Sequence, residues 1–494
     1  MTNSGEEDPV DKHRNPTRRV VVSSLSGFTS NIVVALLAVV SIRLVTAKLG
    51  PVHYGSFIIV MTFVTTGSLF ADLGVGALTG REIASHPTRV ERIIGDNLGL
   101  RLSLGTILIP LISIVGLILY GSSVRETSLG IALVSISIPF DAAKGVVFGY
   151  LIAEIKNHIS YAINTLQQLV YLLGILTCAL LNLGIFAFIA AYVTSVIFGS
   201  MVAVVVVRRE IRVRPLFSPK RWRAIFVSSI SLGIIQVINV IYLKADTLIL
   251  SILGTRHQVG LYGLASVIIS FLIGMPSIIM LSVSPIITRA SNEQLPRLIR
   301  QSLQWMALFS VLVSGVTVFF AKAIIDTLAG SRFDGAVAPL RVLAVTLIFS
   351  SFNAVLGFAC VARNVHQRFV VVSVLGLVVN VSANIWAIPR FGVVGAAWAT
   401  FGSEILTLFG ASLVFRSRFD FAPQLLRIAV RPLLAGVASL LALSWWFGTS
   451  VKSFASILVL SPLLLVLFLA TLTALRGIPD GIASAMIARL RDKK

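Results

Sequence analysis

Two cysteines, six histidines and a charged fraction of only 12% are what 494 residues offer to chemistry that needs thiols, imidazoles or a solvated surface. Cys178 and Cys360 both fall inside apolar stretches, which excludes a disulfide framework and a thiolate metal cluster. The histidines, at 13, 53, 86, 158, 257 and 366, lie in loops or at the ends of apolar stretches. That placement gives neither an intramembrane histidine relay nor a His-based metal site. Walker, HExxH and GxSxG elements are missing, so ATP hydrolysis by the chain itself is removed and no catalytic residue or cofactor is indicated. Acidic residues are scarce as well, with 20 Asp and Glu against 41 Lys and Arg and a net charge of +21. On a soluble protein that excess would point to nucleic acid. Here the basic residues cluster in short loops between apolar stretches, not in one stripe with interleaved aromatics, and no nucleic-acid partner is expected.

What the chain has in abundance is apolar surface: 56% of its residues are hydrophobic and the mean hydropathy is +0.94. Soluble domains carry about a quarter charged residues, so this composition belongs in a bilayer. Stretches able to cross about 30 Å of hydrocarbon at 1.5 Å per residue occur about fourteen times. They lie near 22–46, 55–77, 97–120, 128–152, 158–182, 185–207, 225–252, 259–287, 302–328, 336–361, 367–388, 392–415, 430–449 and 453–475. The first twenty residues are polar and no small-residue cleavage site follows, so the first span is expected to stay as an anchor. Alternate loops differ sharply in charge, with roughly 29 Lys and Arg on one side of the spans and about six on the other. By the positive-inside rule this places both termini and the long basic segment in the cytoplasm.

The sequence also repeats itself. Tyr54-Gly55 recurs as Tyr262-Gly263, Arg81, Arg89 and Arg92 as Arg289, Arg297 and Arg300, and Gly184 as Gly392, all at an offset of 208 residues. Lys48/Arg256, His158/His366 and Ser195/Ser403 keep the same spacing. Loop charges and loop glycines held at one spacing over about 140 residues indicate a duplicated unit. Six spans per copy is an even number, so the copies insert in the same orientation and their pseudo-symmetry axis runs along the membrane normal. The expected fold is therefore an all-α polytopic membrane protein of about 14 transmembrane helices, with two pseudo-symmetric six-helix bundles plus two C-terminal helices. Its parts are an N-terminal cytoplasmic tail (1–21), a first bundle (22–207), a basic cytoplasmic linker (208–224), a second bundle (225–415), helices 13 and 14 (416–476) and a cytoplasmic tail (477–494). Within that tail Ile482, Met486, Ile487 and Leu490 fall at helical spacing beside basic residues, which reads either as an interfacial helix or as a frayed terminus.

Ionisable residues inside spans carry the chemistry. Arg43, Asp72, Arg101, Asp141, Lys144, Lys244, Asp246, Arg341 and Glu404 cannot all face lipid, because each costs about 2.5–3.5 kcal/mol at the midplane. Arg101 and Arg341 lie near span ends and can snorkel. Asp141 and Lys144 share a helix face just after Pro139, either as a structural ion pair or as a cavity-lining pair that exchanges partners. Arg43 lies in the outward half of the first span, and Lys244 with Asp246 in the outward half of its repeat equivalent. Such a cationic wall suits an anionic, phosphorylated cargo, while Arg43 with Asp246 would alternatively close an outer gate. Asp72 and Arg101 are the matching candidates for an inner latch.

Several segments resemble the polysaccharide (Wzx-like) flippases of the multidrug/oligosaccharidyl-lipid/polysaccharide exporter superfamily. The stretch from Arg43 through Lys48-Leu-Gly50-Pro51 to Tyr54-Gly55 is similar to that family's first helix and loop, with Asp72-Leu-Gly74 and Arg81-Glu-Ile-Ala following. Lys244-Ala-Asp246 with Val259-Gly-Leu-Tyr262-Gly263 and Pro285 is similar to its seventh and eighth helices, and Pro389-Arg-Phe-Gly392 through Gly395 to Glu404 to its eleventh and twelfth. The resemblance implies a transporter, not an enzyme, that moves polyprenyl-pyrophosphate-linked oligosaccharide across the cytoplasmic (inner) membrane by alternating access. It also implies membrane lipids, glycosyltransferases and a glycan polymerase as partners, in lipopolysaccharide, capsule or exopolysaccharide assembly. The alternative within the superfamily is a cation-coupled multidrug exporter. Against it, the first helix lacks the acidic residue such exporters often use and carries Arg43 instead.

Overall fold

The computed structural model describes residues 16–121, 124–291, 293–362, 366–415, 421–447 and 454–475. The helical pattern of 482–490 lies outside them. Among the described residues every regular element is helical. The α-helices are α1 (Pro16–Asp72), α2 (Val75–Ser85), α3 (Val90–Tyr120), α4 (Arg125–Ser135), α5 (Ile138–Ala153), α6 (Asn157–Leu180) and α7 (Ile185–Val207). After the basic linker come α8 (Pro219–Leu253), α9 (Arg256–Arg289), α10 (Leu295–Leu328), α11 (Val337–Ala362), α12 (His366–Phe415), α13 (Phe421–Phe447) and α14 (Phe454–Ala474).

Eleven stretches of these helices are long and apolar enough to cross a membrane, and Val459–Ala474 is a shorter apolar helix. Two of the eleven, Thr29–Asp72 and Gln367–Val414, span 44 and 48 residues. At 1.5 Å per residue each covers about twice the hydrocarbon thickness. Both are divided by a glycine at positive φ: Gly50 (φ 64°) in α1, followed by Pro51, and Gly392 (φ 56°) in α12. A side chain there would meet backbone strain, and proline is at home in the first turn of the helix that restarts. The chain is thus a multi-pass membrane protein whose helices accommodate the fourteen spans read from sequence. One span differs in form: the 128–152 stretch is two helices, α4 and α5, separated where Pro139 enters the first turn of α5. Proline cannot donate to the preceding turn, so the ladder restarts there.

Packing divides the chain into two units, Met1–Lys48 with Phe63–Val237, and Leu49–Thr62 with Ile238–Lys494. In the first, Ile83, Ile94, Leu98, Val146, Val147 and Leu151 form part of one apolar core. The linker is fastened onto this unit. The Leu216 amide donates to the Gly95 carbonyl (2.9 Å), the Arg212 amide to Glu91 Oε1 (3.0 Å), and Arg221 pairs with Asp96 (2.7 Å). Gly99 makes this possible, since a Cβ there would stand 2.1 Å from the Leu216 carbonyl oxygen.

In the second unit two glycines, Gly55 of the repeated pair and Gly260, mark a close crossing. A Cβ on Gly55 would stand 1.9 Å from the Arg256 carbonyl oxygen, and one on Gly260 2.0 Å from that of Pro51. The helix after Gly50 and the start of α9 therefore cross with backbone against backbone. A reciprocal cap between Thr255 and Gln258 fixes where α9 begins. Gly260→Ala is expected to destabilise the protein by about 1–3 kcal/mol, because backbone cannot move aside for the added methyl. Thermal unfolding of the purified protein in detergent reads this. Gly402→Ala, a position with open space around it, should leave the midpoint unchanged.

Candidate functional site

The first unit gathers four of the ionisable residues read from sequence. Asp72 ends α1, where its Oδ1 accepts from the Gly76 amide (2.9 Å) and from Arg101 Nη2 on α3 (3.0 Å). Asp72 is thus both the residue of the turn and half of an ion pair. Arg101 does not snorkel. It is 4% exposed, and its guanidinium lies against Gly145 of α5, where a Cβ would come within 2.7 Å of both terminal nitrogens. Its Nε and Nη1 have no hydrogen-bond partner among the described residues. Next to Gly145 on α5, Lys144 Nζ meets Asp141 Oδ1 (2.9 Å) and donates to Gln167 Oε1 of α6 (2.9 Å). Lys144 also stands over the Phe148 ring, 5.9 Å from its centroid. Asp141 acts electrostatically on Arg101 as well, so the two pairs form one connected cluster. Arg43, in the helix before Gly50, is exposed and its guanidinium makes no ion pair or hydrogen bond among the described residues.

The second unit holds Lys244 and Asp246 on α8. Asp246 is 5% exposed, and its partners are neutral: the Tyr262 hydroxyl of α9 donates to it, as do Thr400 Oγ1 of α12 (3.4 Å) and the Thr247 amide (2.7 Å). Tyr262 belongs to the repeated Tyr-Gly pair, so one motif supplies both the close crossing and the carboxylate's donor. Half-buried Lys244 makes no ion pair or hydrogen bond among the described residues. On α12, Glu404 accepts from Asn353 Nδ2 of α11 (2.6 Å). Nearby, Tyr242 meets Ser403 (3.1 Å), and Asn380 donates to the same hydroxyl (3.1 Å). Arg341 is exposed, with Nε donating to the Val318 carbonyl (3.3 Å).

Charge accounting is the chemical content of this arrangement. Each of the four buried or part-buried carboxylates, Asp72, Asp141, Asp246 and Glu404, has donors within its own unit. Among the cations of the spans, Arg101, Lys144 and Lys322 are ion-paired, whereas Arg43 and Lys244 make no ion pair or hydrogen bond among the described residues, Lys244 being within electrostatic reach of Asp246. Sequence reasoning missed Gln167, Asn353, Thr400 and the donor role of Tyr262. None of them has a charge or spacing that marks it, and only the helix that folds against it gives it a role. No group of three or more metal-ligating side chains occurs among the described residues.

The family described as polysaccharide biosynthesis protein matches residues 20–291. The chain belongs to that family. Among solved structures, the chain is similar in fold to a lipid II flippase, MurJ, in an inward closed conformation. The match has a TM-score of 0.74 and 14% identity, covering 91% of this chain and 98% of that one. A transporter of the MOP superfamily from Pyrococcus furiosus matches with a TM-score of 0.57 and 15% identity, over 86% of this chain and 99% of the other. An inward-facing multidrug resistance MATE family transporter matches with a TM-score of 0.60 and 15% identity, over 80% and 98%. No curated protein matches the sequence. The family match agrees with the resemblance drawn from the motifs, and the chain shares its fold with a lipid II flippase and with drug exporters of the MOP superfamily.

Proposed function

We propose that the polysaccharide biosynthesis protein is a flippase that carries polyprenyl-pyrophosphate-linked oligosaccharide from the cytoplasmic to the outer leaflet of the cytoplasmic membrane. The observation that supports this reading is that two span cations, Arg43 in the first unit and Lys244 in the second, make no ion pair or hydrogen bond among the described residues. Pyrophosphate offers several oxygens to such groups, and forks of arginine hold phosphate with directional hydrogen bonds. The cargo crosses unchanged, so the protein acts by binding and conformational change, without catalysis. Asp141 and Lys144 exchange partners, and Asp72 with Arg101 latches the inner side, as the bundles alternate in access. Glycosyltransferases load the carrier lipid on the cytoplasmic side, where both termini lie, and a polymerase consumes the cargo outside.

A second reading, a cation-coupled drug exporter, draws on the MATE-like fold and on Asp246 and Glu404, buried carboxylates with neutral donors only. Proteoliposomes separate the two. Purified protein is expected to flip a fluorescent polyprenyl-pyrophosphate oligosaccharide well above protein-free vesicles. Gradient-driven efflux of a cationic dye with no flipping of the lipid would reverse the assignment.

A further inference from the structure

Outside the span cations, the second unit holds a pocket of about 550 Å³ where α9 ends and α10 begins, with Ile286, Arg289, Gln294, Arg297, Leu298 and Gln301 in its wall. Its size is that of a small-ligand site. The turn between the helices is fixed by a reciprocal cap. The Ser291 amide donates to Gln294 Oε1 (3.4 Å) and the Gln294 amide to Ser291 Oγ (3.3 Å). This holds Arg289, the last residue of α9, and Arg297, in the first turn of α10, on either side of one cavity. Both arginines are exposed, and neither forms an ion pair with a described residue.

Depth decides what kind of anion fits. Arg256–Arg289 and Leu295–Leu328 are each 34 residues long and apolar enough to cross a membrane, about 51 Å of helix against about 30 Å of hydrocarbon, so the turn that joins them reaches headgroup level. Ile286 and Leu298 give it an apolar wall beside the guanidinium groups, so a ligand with both a phosphate and a hydrocarbon part matches it better than a soluble ion. Basic pockets at that depth are suited to phosphorylated headgroups.

The duplicated copy sharpens the point. Arg81 and Arg89 are the offset equivalents of Arg289 and Arg297, but Ala290 is replaced there by Glu82. A carboxylate beside the first pair of arginines works against an anion. At the second pair Ala290 stands in that place, and the carboxylate of the turn, Glu293, is exposed and outside the cavity wall.

We propose that this pocket binds the phosphate-bearing headgroup of a membrane lipid, with Arg289 and Arg297 holding the phosphate oxygens and Ile286 and Leu298 meeting the start of the tail. The assignment is independent of the cargo reading, because it concerns a lipid held at the rim of one unit.

Native mass spectrometry of the full-length protein, titrated with phosphatidylglycerol or phosphatidylcholine, tests it. The wild type is expected to retain one phosphatidylglycerol far more tightly than phosphatidylcholine, and R289Q/R297Q to lose roughly thirtyfold in that affinity. R289K/R297K should keep part of it. Equal phosphatidylglycerol binding by wild type and R289Q/R297Q overturns the site. Should the double variant fail to fold, R297Q alone reads the same loss at about fivefold, and no loss there is equally fatal. Inorganic pyrophosphate is expected to leave the lipid bound. Full displacement at the lipid's own saturating concentration would assign the pocket to a soluble phosphate instead. Lipid-linked oligosaccharide flipping by the same variants in proteoliposomes is scored separately, so a failed cargo reading does not masquerade as a failed headgroup site.

Discussion

Glycan export is expected to fall by at least about a hundredfold when Arg43 and Lys244 are both replaced by glutamine, with protein abundance unchanged. The magnitude follows from the hydrogen bonds at stake. Each charge-assisted contact to a phosphate oxygen contributes about 1.5–3 kcal/mol, so losing two costs on the order of 3 kcal/mol or more in cargo binding. Abundance should hold because neither side chain has a hydrogen bond or ion pair among the described residues, and removing an unpaired charge from a span relieves an insertion cost. Surface glycan in a strain that depends on this protein, with immunoblotting for the protein itself, gives both readings. Arg43→Lys/Lys244→Arg keeps the charges and should retain much of the export. Undiminished export by the glutamine pair would remove the pyrophosphate role from these residues while leaving the transporter fold standing.

The other large effect lies in the first unit. Arg101→Leu leaves the part-buried Asp72 without its cation and removes a buried guanidinium, and breaking such a pair from one side costs up to about 3–5 kcal/mol. The variant should therefore unfold at a much lower temperature in detergent or fail to accumulate. Removing both partners is a different matter. Arg101→Leu with Asp72→Asn takes away the charge that would be stranded, and the asparagine oxygen can still accept from the Gly76 amide, so most of the loss should be recovered. That variant also isolates the latch. If the two residues close the inner side by pairing, the folded double variant flips lipid-linked oligosaccharide at an altered rate. A wild-type rate would leave Asp72 and Arg101 a purely structural role. A single Arg101→Leu variant as stable as the parent would contradict the burial from which the argument starts.

Much of the architecture was legible in the chain because bilayer physics acts on local composition. A run of apolar residues must become a helix where no water can satisfy its backbone, so span positions follow from sequence alone. The breaks were half legible. Gly50-Pro51 and Gly392 read as turns, and are, whereas Pro139 reads as a bend within one span and is where α5 restarts after α4. The burial of Arg101 was not legible at all. Its position near a span end suggested snorkelling, and the space that admits it is made by Gly145, 44 residues further on. The linker likewise read as a basic tether, although Gly95, Gly99, Glu91 and Asp96 of α3 fasten it down.

By itself, then, the sequence determined an all-helical, multi-pass, duplicated membrane protein and the residues whose charge had to be dealt with inside it, because the cost of a charge or an unpaired backbone group in hydrocarbon applies wherever that residue ends up. Only the tertiary structure decided which charges neutralise each other. Asp72 with Arg101, Asp246 with Tyr262 and Thr400, and Glu404 with Asn353 are contacts between different helices. Such a pairing depends on ångström-scale distances that glycines and breaks set elsewhere in the chain. The same packing left Arg43 and Lys244 without an ion pair or hydrogen bond among the described residues.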